Sequence, residues 1–180
     1  MKKAFFASIA VLFIVWFFTL PVSADDKDTL VRFKGGIGVH AVSNVSGTAN
    51  ADGTFPNVTR NVVRGVNPAG QIWVIADLSA EVKDNGRIKV RGRGLLLGGG
   101  NNIGTNSDAI VIATLICEAA PGPFTLRNTD LAGVPLEANG DFRIDDVLTP
   151  APPVECASPV LLIRNAANLG WFAAGIPDLD

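Results

Sequence analysis

Apolar and polar residues alternate on both sides of a polar turn, Asp84-Asn85-Gly86, in the middle of the chain. A three-residue loop at this turn places apolar pairs on one face and polar or charged pairs on the other. The pairs are Val82–Ile88, Ala80–Val90, Glu81–Lys89, Ser79–Arg91 and Asp77–Arg93. A two-residue loop would instead set Val82 opposite Lys89 and mix the two faces. The pattern therefore predicts a long β-hairpin over residues 71–99, with Gly86 in the left-handed conformation that glycine tolerates.

The base of this predicted hairpin, farther from the turn, is apolar on both faces. The expected pairs are Trp73–Leu97, Val74–Leu96 and Ile75–Leu95. Strands of this composition are typically covered on both sides. We therefore expect the base to lie in a core and the tip to reach solvent.

Other apolar runs predict further strands. Residues 109–117, 160–163 and 169–176 have the composition of buried strands. Residues 30–42 also have strand composition, and Gly35-Gly36 within them indicates a bend or bulge.

Residues 134–147 predict a second hairpin around the turn 138–140, with Leu136 opposite Phe142 and Val134 opposite Ile144. After the N-terminal segment, no stretch shows a helical period with caps. Short strands separated by Gly, Asn and Pro turns are typical of all-β folds. We therefore predict one all-β domain over residues 25–180, an antiparallel β-sandwich or a barrel-like sheet.

The first 24 residues have the organisation of a secretory signal peptide. Lys2 and Lys3 precede an uncharged apolar run over residues 4–20, and small residues precede Asp25. This pattern predicts cleavage after Ala24 and a secreted, periplasmic or cell-envelope location. The alternative is an uncleaved anchor, because the apolar run over residues 4–20 just reaches the minimum length of a membrane span, roughly 17 residues. Contact with a membrane is expected only through such an uncleaved segment.

Charge and cysteine content narrow the classes of partner. The chain has 15 basic and 17 acidic residues, and loss of Lys2 and Lys3 makes it more acidic, which gives no reason to expect a nucleic acid. The expected partner is an unidentified extracellular or envelope component. In an exported chain, Cys117 and Cys156 predict a disulfide, with two free buried thiols as the alternative. His40 is the only histidine, so we expect no metal site and no cofactor.

Four basic residues on one face of the second hairpin strand are the main candidate for ligand binding. They are Arg87, Lys89, Arg91 and Arg93. They could line a groove for an anionic ligand. The alternative is a solvated sheet face, on which Asp77 and Glu81 from the opposite strand neutralise two of the four.

Other candidate chemistry is weaker. Trp171 and Phe172 alternate faces on a predicted strand, so we expect one of them to be exposed, and Trp171 is the candidate sugar-stacking residue. Asp141, Asp145 and Asp146 could bind calcium, although carboxylates on a surface strand are the simpler interpretation. No residue is singled out as catalytic, because nothing pairs His40 with a nucleophile or two carboxylates with each other.

The mature chain resembles small exported bacterial proteins without an assigned function. The similar stretches are GTANADGTFPNVTRNVVRGVNPAG, GRGLLL, GDFRIDDVL and PVLLIRNA. SGTANADG and GTNSDAIVIATL are also similar to chordin-type (CHRD) domains, which are β-sandwich modules of secreted proteins. Where those domains carry a histidine-containing motif, this chain has GRGLLLGGG, and no functional residue is carried over.

Together these features predict a secreted, non-enzymatic β-sandwich protein that acts as an extracellular binding module or as part of an envelope or matrix. The alternative is a secreted hydrolase acting on polysaccharide. The shortage of residues of catalytic type favours the binding module.

The cleavage site gives the first testable prediction. Mass spectrometry of the exported protein should give the mass of a chain whose first residue is Asp25, because signal peptidase cuts after small residues such as Ala24. A mass that retains Met1 would contradict this and support the uncleaved anchor.

Overall fold

Strands and turns make up residues 28–179, the part of the chain that this computed structural model describes, and no helix occurs there. The strands are β1 (Thr29–Gly38), β2 (Val42–Ser46), β3 (Asn57–Arg60), β4 (Trp73–Val74), β5 (Asp77–Lys83), β6 (Arg87–Arg93), β7 (Leu96–Leu97), β8 (Ile110–Ile116), β9 (Arg127–Asn128), β10 (Val134–Pro135), β11 (Phe142–Val147), β12 (Val160–Asn165) and β13 (Trp171–Asp178). The predicted signal peptide, residues 1–24, lies outside the described residues. Within them, nothing forms a helix of the length and hydropathy needed to cross a membrane.

One large antiparallel sheet dominates the fold. Its strand order is β10-β8-β12-β13-β1-β5-β6-β11, and β9 pairs with β8. The sheet curls until its two ends meet at Asn128 and Thr149, which exchange backbone hydrogen bonds of 2.9 and 2.8 Å. The prediction of an all-β, antiparallel, barrel-like fold is therefore confirmed.

The central hairpin has the predicted register. The pairs formed by β5 and β6 include all five expected from the three-residue loop. Gly86 closes the turn at a φ of 83°, and its N–H donates to the carbonyl of Lys83 at 2.9 Å. Residues that face inward, among them Leu78, Val82 and Ile88, are fully buried.

The base of the hairpin follows the prediction only in part. β4 and β7 form the pairs Trp73–Leu97 and Val74–Leu96, but as a separate two-stranded sheet. The expected pair Ile75–Leu95 is not formed, and the N–H of Leu95 donates instead to Gly140 O at 2.9 Å. Trp73 and Leu97 are buried, whereas Val74 is 48% exposed. The expectation of cover on both sides is therefore wrong, because the Val74 face is about half open to solvent.

The interior of the curled sheet is apolar. β8 and β12 are neighbours near one end of the sheet, and their inward residues include Val111, Leu115, Leu161 and Ile163, all without solvent exposure. The outward faces of these two strands are also mostly buried, as their largely apolar sequences predict, and they include the buried polar residues Thr114 and Arg164.

The N-terminal strand β1 bends as predicted. Its register with β13 shifts between Phe33 and Gly36, so the double glycine forms the expected bulge. β1 pairs with β13 along one edge and with β5 along the other.

The second predicted hairpin is present as a turn but not as a strand pair. Glu137 N donates to Asp141 O at 2.9 Å across the turn. Beyond it the strands separate, so Leu136 does not pair with Phe142 and Val134 does not pair with Ile144. β10 pairs with β8 and β11 pairs with β6. Pro135 in β10 has no N–H to donate, and the N–H of Leu136 turns toward β8 and donates to Ala109 O at 2.9 Å.

A disulfide ties the end of β8 to the proline-rich connection before β12. Cys117 and Cys156 are bonded, with Cα atoms 4.6 Å apart and 39 positions apart in sequence, which confirms the predicted pairing. Closing a loop of this length stabilises a fold by about 4 kcal/mol in the chain-entropy model.

The turn at Gly140 gives a prediction about stability. Gly140 has a φ of 80°, and a Cβ there would lie 2.6 Å from the backbone N and O of Leu95. Gly140→Ala should lower the free energy of unfolding by about 3 kcal/mol or more, because strain and a backbone clash act together.

Gly53→Ala is the matched control, because Gly53 has a φ of 82° but no atom within 4 Å of the added Cβ. It should cost only about 1 kcal/mol in urea denaturation. Equal losses in the two variants would show that the contact of Gly140 with Leu95 is not tight.

Candidate anion-binding face

The outer surface of β1, β5, β6 and β11 is polar and open to solvent. Along β6, exposed and buried residues alternate, and the exposed ones are Arg87, Lys89, Arg91 and Arg93. The four predicted basic residues therefore share one face. Whether this face binds a ligand depends on which of them are neutralised by neighbours.

Three of these four residues have acidic partners. Arg87 Nη2 and Lys89 Nζ lie 3.5 and 4.0 Å from the carboxylate oxygens of Asp145 on β11. Arg93 Nη2 lies 2.8 Å from Asp77 Oδ2. Exposed pairs of this kind add little stability, but they reduce the charge available to a ligand.

The pairing of Glu81 differs from the expectation. Glu81 stands opposite Lys89 in the register, as predicted. Its carboxylate, however, lies 3.7 Å from Arg32 Nη2 and accepts a 2.7 Å hydrogen bond from Thr29 Oγ1. Of the two acids expected to neutralise basic residues of β6, only Asp77 does so. Asp145, rather than Glu81, lies within ion-pair distance of Lys89.

Arg91 is the exception on β6. It stands opposite Ser79 on β5 and opposite Arg143 on β11, and Ser79 in turn stands opposite Lys34 on β1. Within residues 28–179, no hydrogen bond or ion pair engages the charged groups of Lys34, Arg91 or Arg143. We call Lys34, Ser79, Arg91 and Arg143 the basic row, because they form one line across four strands.

The basic row runs between two lines of mixed charge. On one side, acidic and basic residues alternate across the strands in the order Asp178, Arg32, Glu81, Lys89, Asp145. On the other side, Asp77 pairs with Arg93, and Asp141 precedes β11. Each flanking line carries one more acidic than basic residue, so the basic row is a narrow positive strip between slightly negative lines.

A shallow groove lies over this strip. It has a volume of about 720 Å³, and Lys34, Ser79, Arg91 and Arg143 all line it. Phe33 is the one aromatic residue among its lining residues, and it is only 2% exposed. The groove therefore presents charge and hydroxyl groups rather than an aromatic surface.

The sequence pattern identified Arg91 but not Lys34 or Arg143. These two residues come from β1 and β11, which are distant in sequence from β6. The sequence predicts that Arg143 lies in a hairpin over residues 134–147. Only the observed pairing of β11 with β6 brings it beside Arg91. The alternation of polar and apolar residues in 141–147 was the one available signal that Arg143 faces solvent.

The prediction that one ring of Trp171 and Phe172 is exposed is wrong, because both rings are buried, at 4% and 3% exposure. The indole of Trp171 donates from Nε1 to the carbonyl of Asn61 at 3.0 Å, and Phe172 stacks on Trp73 with ring centroids 4.0 Å apart. The chain from Asn67 to Ala69 forms backbone hydrogen bonds with Trp171 and covers it. Trp171 therefore offers no surface to a sugar.

The carboxylates weighed for calcium have other partners. Asp145 forms the ion pairs given above, Asp141 accepts from Gly94 N at 3.0 Å, and Asp146 accepts from Asp130 N at 2.7 Å. Among residues 28–179 there is no group of three or more His, Cys, Asp or Glu side chains placed to hold a metal ion. His40 is exposed just after β1.

An ion pair away from this face supports the disulfide region. Arg127 is buried on β9, and its Nη2 lies 2.8 Å from Glu118 Oε1, next to Cys117 in sequence. The hydrogen bond from Arg127 lowers the pKa of Glu118 to about 2. Removal of Glu118 would leave the buried charge of Arg127 without its acidic partner, so the pair stabilises the contact between Glu118 and β9.

Arg164 on β12 is a buried cation that interacts with neutral groups. It donates to the carbonyl of Leu169 at 2.8 Å, to Thr114 Oγ1 at 3.2 Å and to Asn128 Oδ1 at 3.3 Å. Burial lowers the pKa of its guanidinium. Through Thr114 and Asn128, Arg164 joins β12 to β8 and β9.

Comparison of the chain with protein families, with characterised proteins and with solved structures finds no match. The resemblance to chordin-type domains stays a prediction.

The Glu118–Arg127 pair predicts a pH dependence of stability. The folded-state pKa of Glu118, about 2, lies below the ordinary value of 4.5, so its stabilising effect is complete above about pH 4.5 and is lost as the pH falls toward 2. Urea denaturation across this range should show the difference in unfolding free energy between the native protein and Glu118→Gln shrinking as the pH falls.

Glu155→Gln is the control for the loss of one carboxylate, because Glu155 is exposed and forms no ion pair with the described residues. A Glu118→Gln difference that stays constant from pH 5 to 2 would contradict the assigned shift.

Proposed function

We propose that the protein is an exported, non-enzymatic binding module that holds an anionic extracellular or envelope component on the outer face of β1, β5, β6 and β11. The observation that carries this proposal is the basic row. Lys34, Arg91 and Arg143 are exposed and in line, without acidic partners in the described chain, whereas the charges beside them are paired.

Features of the sequence and the fold support an exported location. The disulfide between Cys117 and Cys156 is consistent with an oxidising compartment, and the N-terminal pattern is that of a signal peptide. An exported location and an excess of acidic over basic residues favour an acidic extracellular polymer over a nucleic acid as the partner.

The alternative, a secreted hydrolase acting on polysaccharide, has less support. A glycosidase needs two carboxylates that face each other across the scissile bond, one of them free to donate a proton. In the groove, Glu81 and Asp145 instead lie within ion-pair distance of basic residues.

The test compares two variants that lose the same charge. Mature protein, residues 25–180, is passed over immobilised acidic and neutral extracellular polymers by biolayer interferometry. Arg91→Gln/Arg143→Gln removes two groups of the basic row. Arg87→Gln/Arg93→Gln removes two arginines that form ion pairs and do not line the groove.

The native protein and the Arg87/Arg93 variant should bind acidic polymers, and the Arg91/Arg143 variant should bind at least about tenfold more weakly, because it loses charge-assisted hydrogen bonds. Equal weakening in both variants, or no binding by the native protein, would overturn the proposal.

A further inference from the structure

We propose that the ligand is a linear acidic polysaccharide, with carboxylates on successive sugars, that lies across the strands along the basic row. This proposal rests on the function proposed above and specifies its ligand. It follows from the repulsion within the row, the strand spacing, the flanking charges and the groups that the groove presents.

The first observation is an unfavourable contact that the fold retains. Arg91 and Arg143 stand directly opposite each other on neighbouring strands. Like charges in this position destabilise a sheet, and no carboxylate in the described chain lies between them. An anion that binds both guanidinium groups would turn this repulsion into attraction.

The second observation is the spacing along the row. Neighbouring strands lie about 4.8 Å apart, so the three steps from Lys34 to Arg143 span roughly 14 Å. Consecutive sugars in an extended chain repeat at a similar distance. A chain that crosses the four strands therefore places about one sugar over each of them, with its carboxylates near Lys34, Arg91 and Arg143.

The third observation concerns the width of the strip. Acidic residues flank it on both sides, with Glu81 and Asp145 on one and Asp77 and Asp141 on the other. A nucleic-acid duplex or an anionic membrane would cover these carboxylates together with the basic row and be repelled by them. A single polymer chain lies on the strip alone.

The fourth observation is the chemistry of the groove. Each arginine presents a planar fork that suits a carboxylate, and Ser79 supplies an exposed hydroxyl at the one uncharged position of the row. None of the lining residues exposes an aromatic ring on which a neutral sugar could stack. Affinity must therefore come from the ligand's charge, and it must fall as the salt concentration rises.

The experiment titrates mature protein with uronic acid oligomers of increasing length by isothermal calorimetry. Affinity should rise up to about four sugars and then level off, because the row crosses four strands. Arg91→Gln and Arg143→Gln should each weaken binding about tenfold, and Arg87→Gln/Arg93→Gln by no more than about twofold. A neutral oligomer with the same linkage should not bind.

Thermal unfolding separates a binding role from a structural one. Arg91→Gln relieves the repulsion with Arg143, so its melting temperature should equal or exceed that of the native protein while its affinity falls. Lost binding together with a lower melting temperature would mean that Arg91 serves the fold, and it would overturn the inference.

Polyphosphate and vesicles containing phosphatidylglycerol distinguish the inference from the proposed function. If either binds as tightly as the uronic acid oligomers, and if its binding depends equally on Arg91 and Arg143, the assignment of a polysaccharide ligand is wrong. The proposed anion-binding function would then still hold. If neither they, nor the oligomers, nor the acidic polymers bind, both proposals fail.

Discussion

The register between β5 and β6 is the constraint on which the rest of the structure depends. Successive side chains of a strand point to opposite faces, so a shift by one residue would bury Lys89 and Arg91 and expose Val90. The three-residue loop at Gly86 prevents this shift because it sets Val82 opposite Ile88. The same register fixes the apolar interior and orders the charges on the outer face.

The pairing of strands in the curled sheet then determines which residues lie beside those of β6 on the outer face. β11 leaves the turn at Gly140 and pairs with β6 instead of β10, which sets Arg143 against Arg91. The neighbouring charges are arranged in compensating pairs, whereas this one is repulsive. A local arrangement that lowers stability within an otherwise consistent fold is characteristic of functional sites, and it is the physical basis for our proposal that this face binds a ligand.

Local patterns in the sequence predict those parts of the fold that depend on residues close together in sequence. The alternation around Gly86 is sufficient to predict the central hairpin, and the largely aliphatic sequence of β8 is sufficient to predict a buried strand. Pairings between distant strands leave no local signal, so the partner of β11 and the position of Arg143 were missed. Trp171 was misjudged for the same reason, because a loop more than 100 positions earlier in sequence covers it.

The alignment of Lys34, Ser79, Arg91 and Arg143 can be measured directly by nuclear Overhauser effects between backbone protons of the mature protein in solution. The account predicts contacts between Lys34 and Ser79, between Ser79 and Arg91, and between Arg91 and Arg143. Contacts that instead join Val82 to Lys89 would show a register shifted by one residue. That result would remove the basic row and contradict the account.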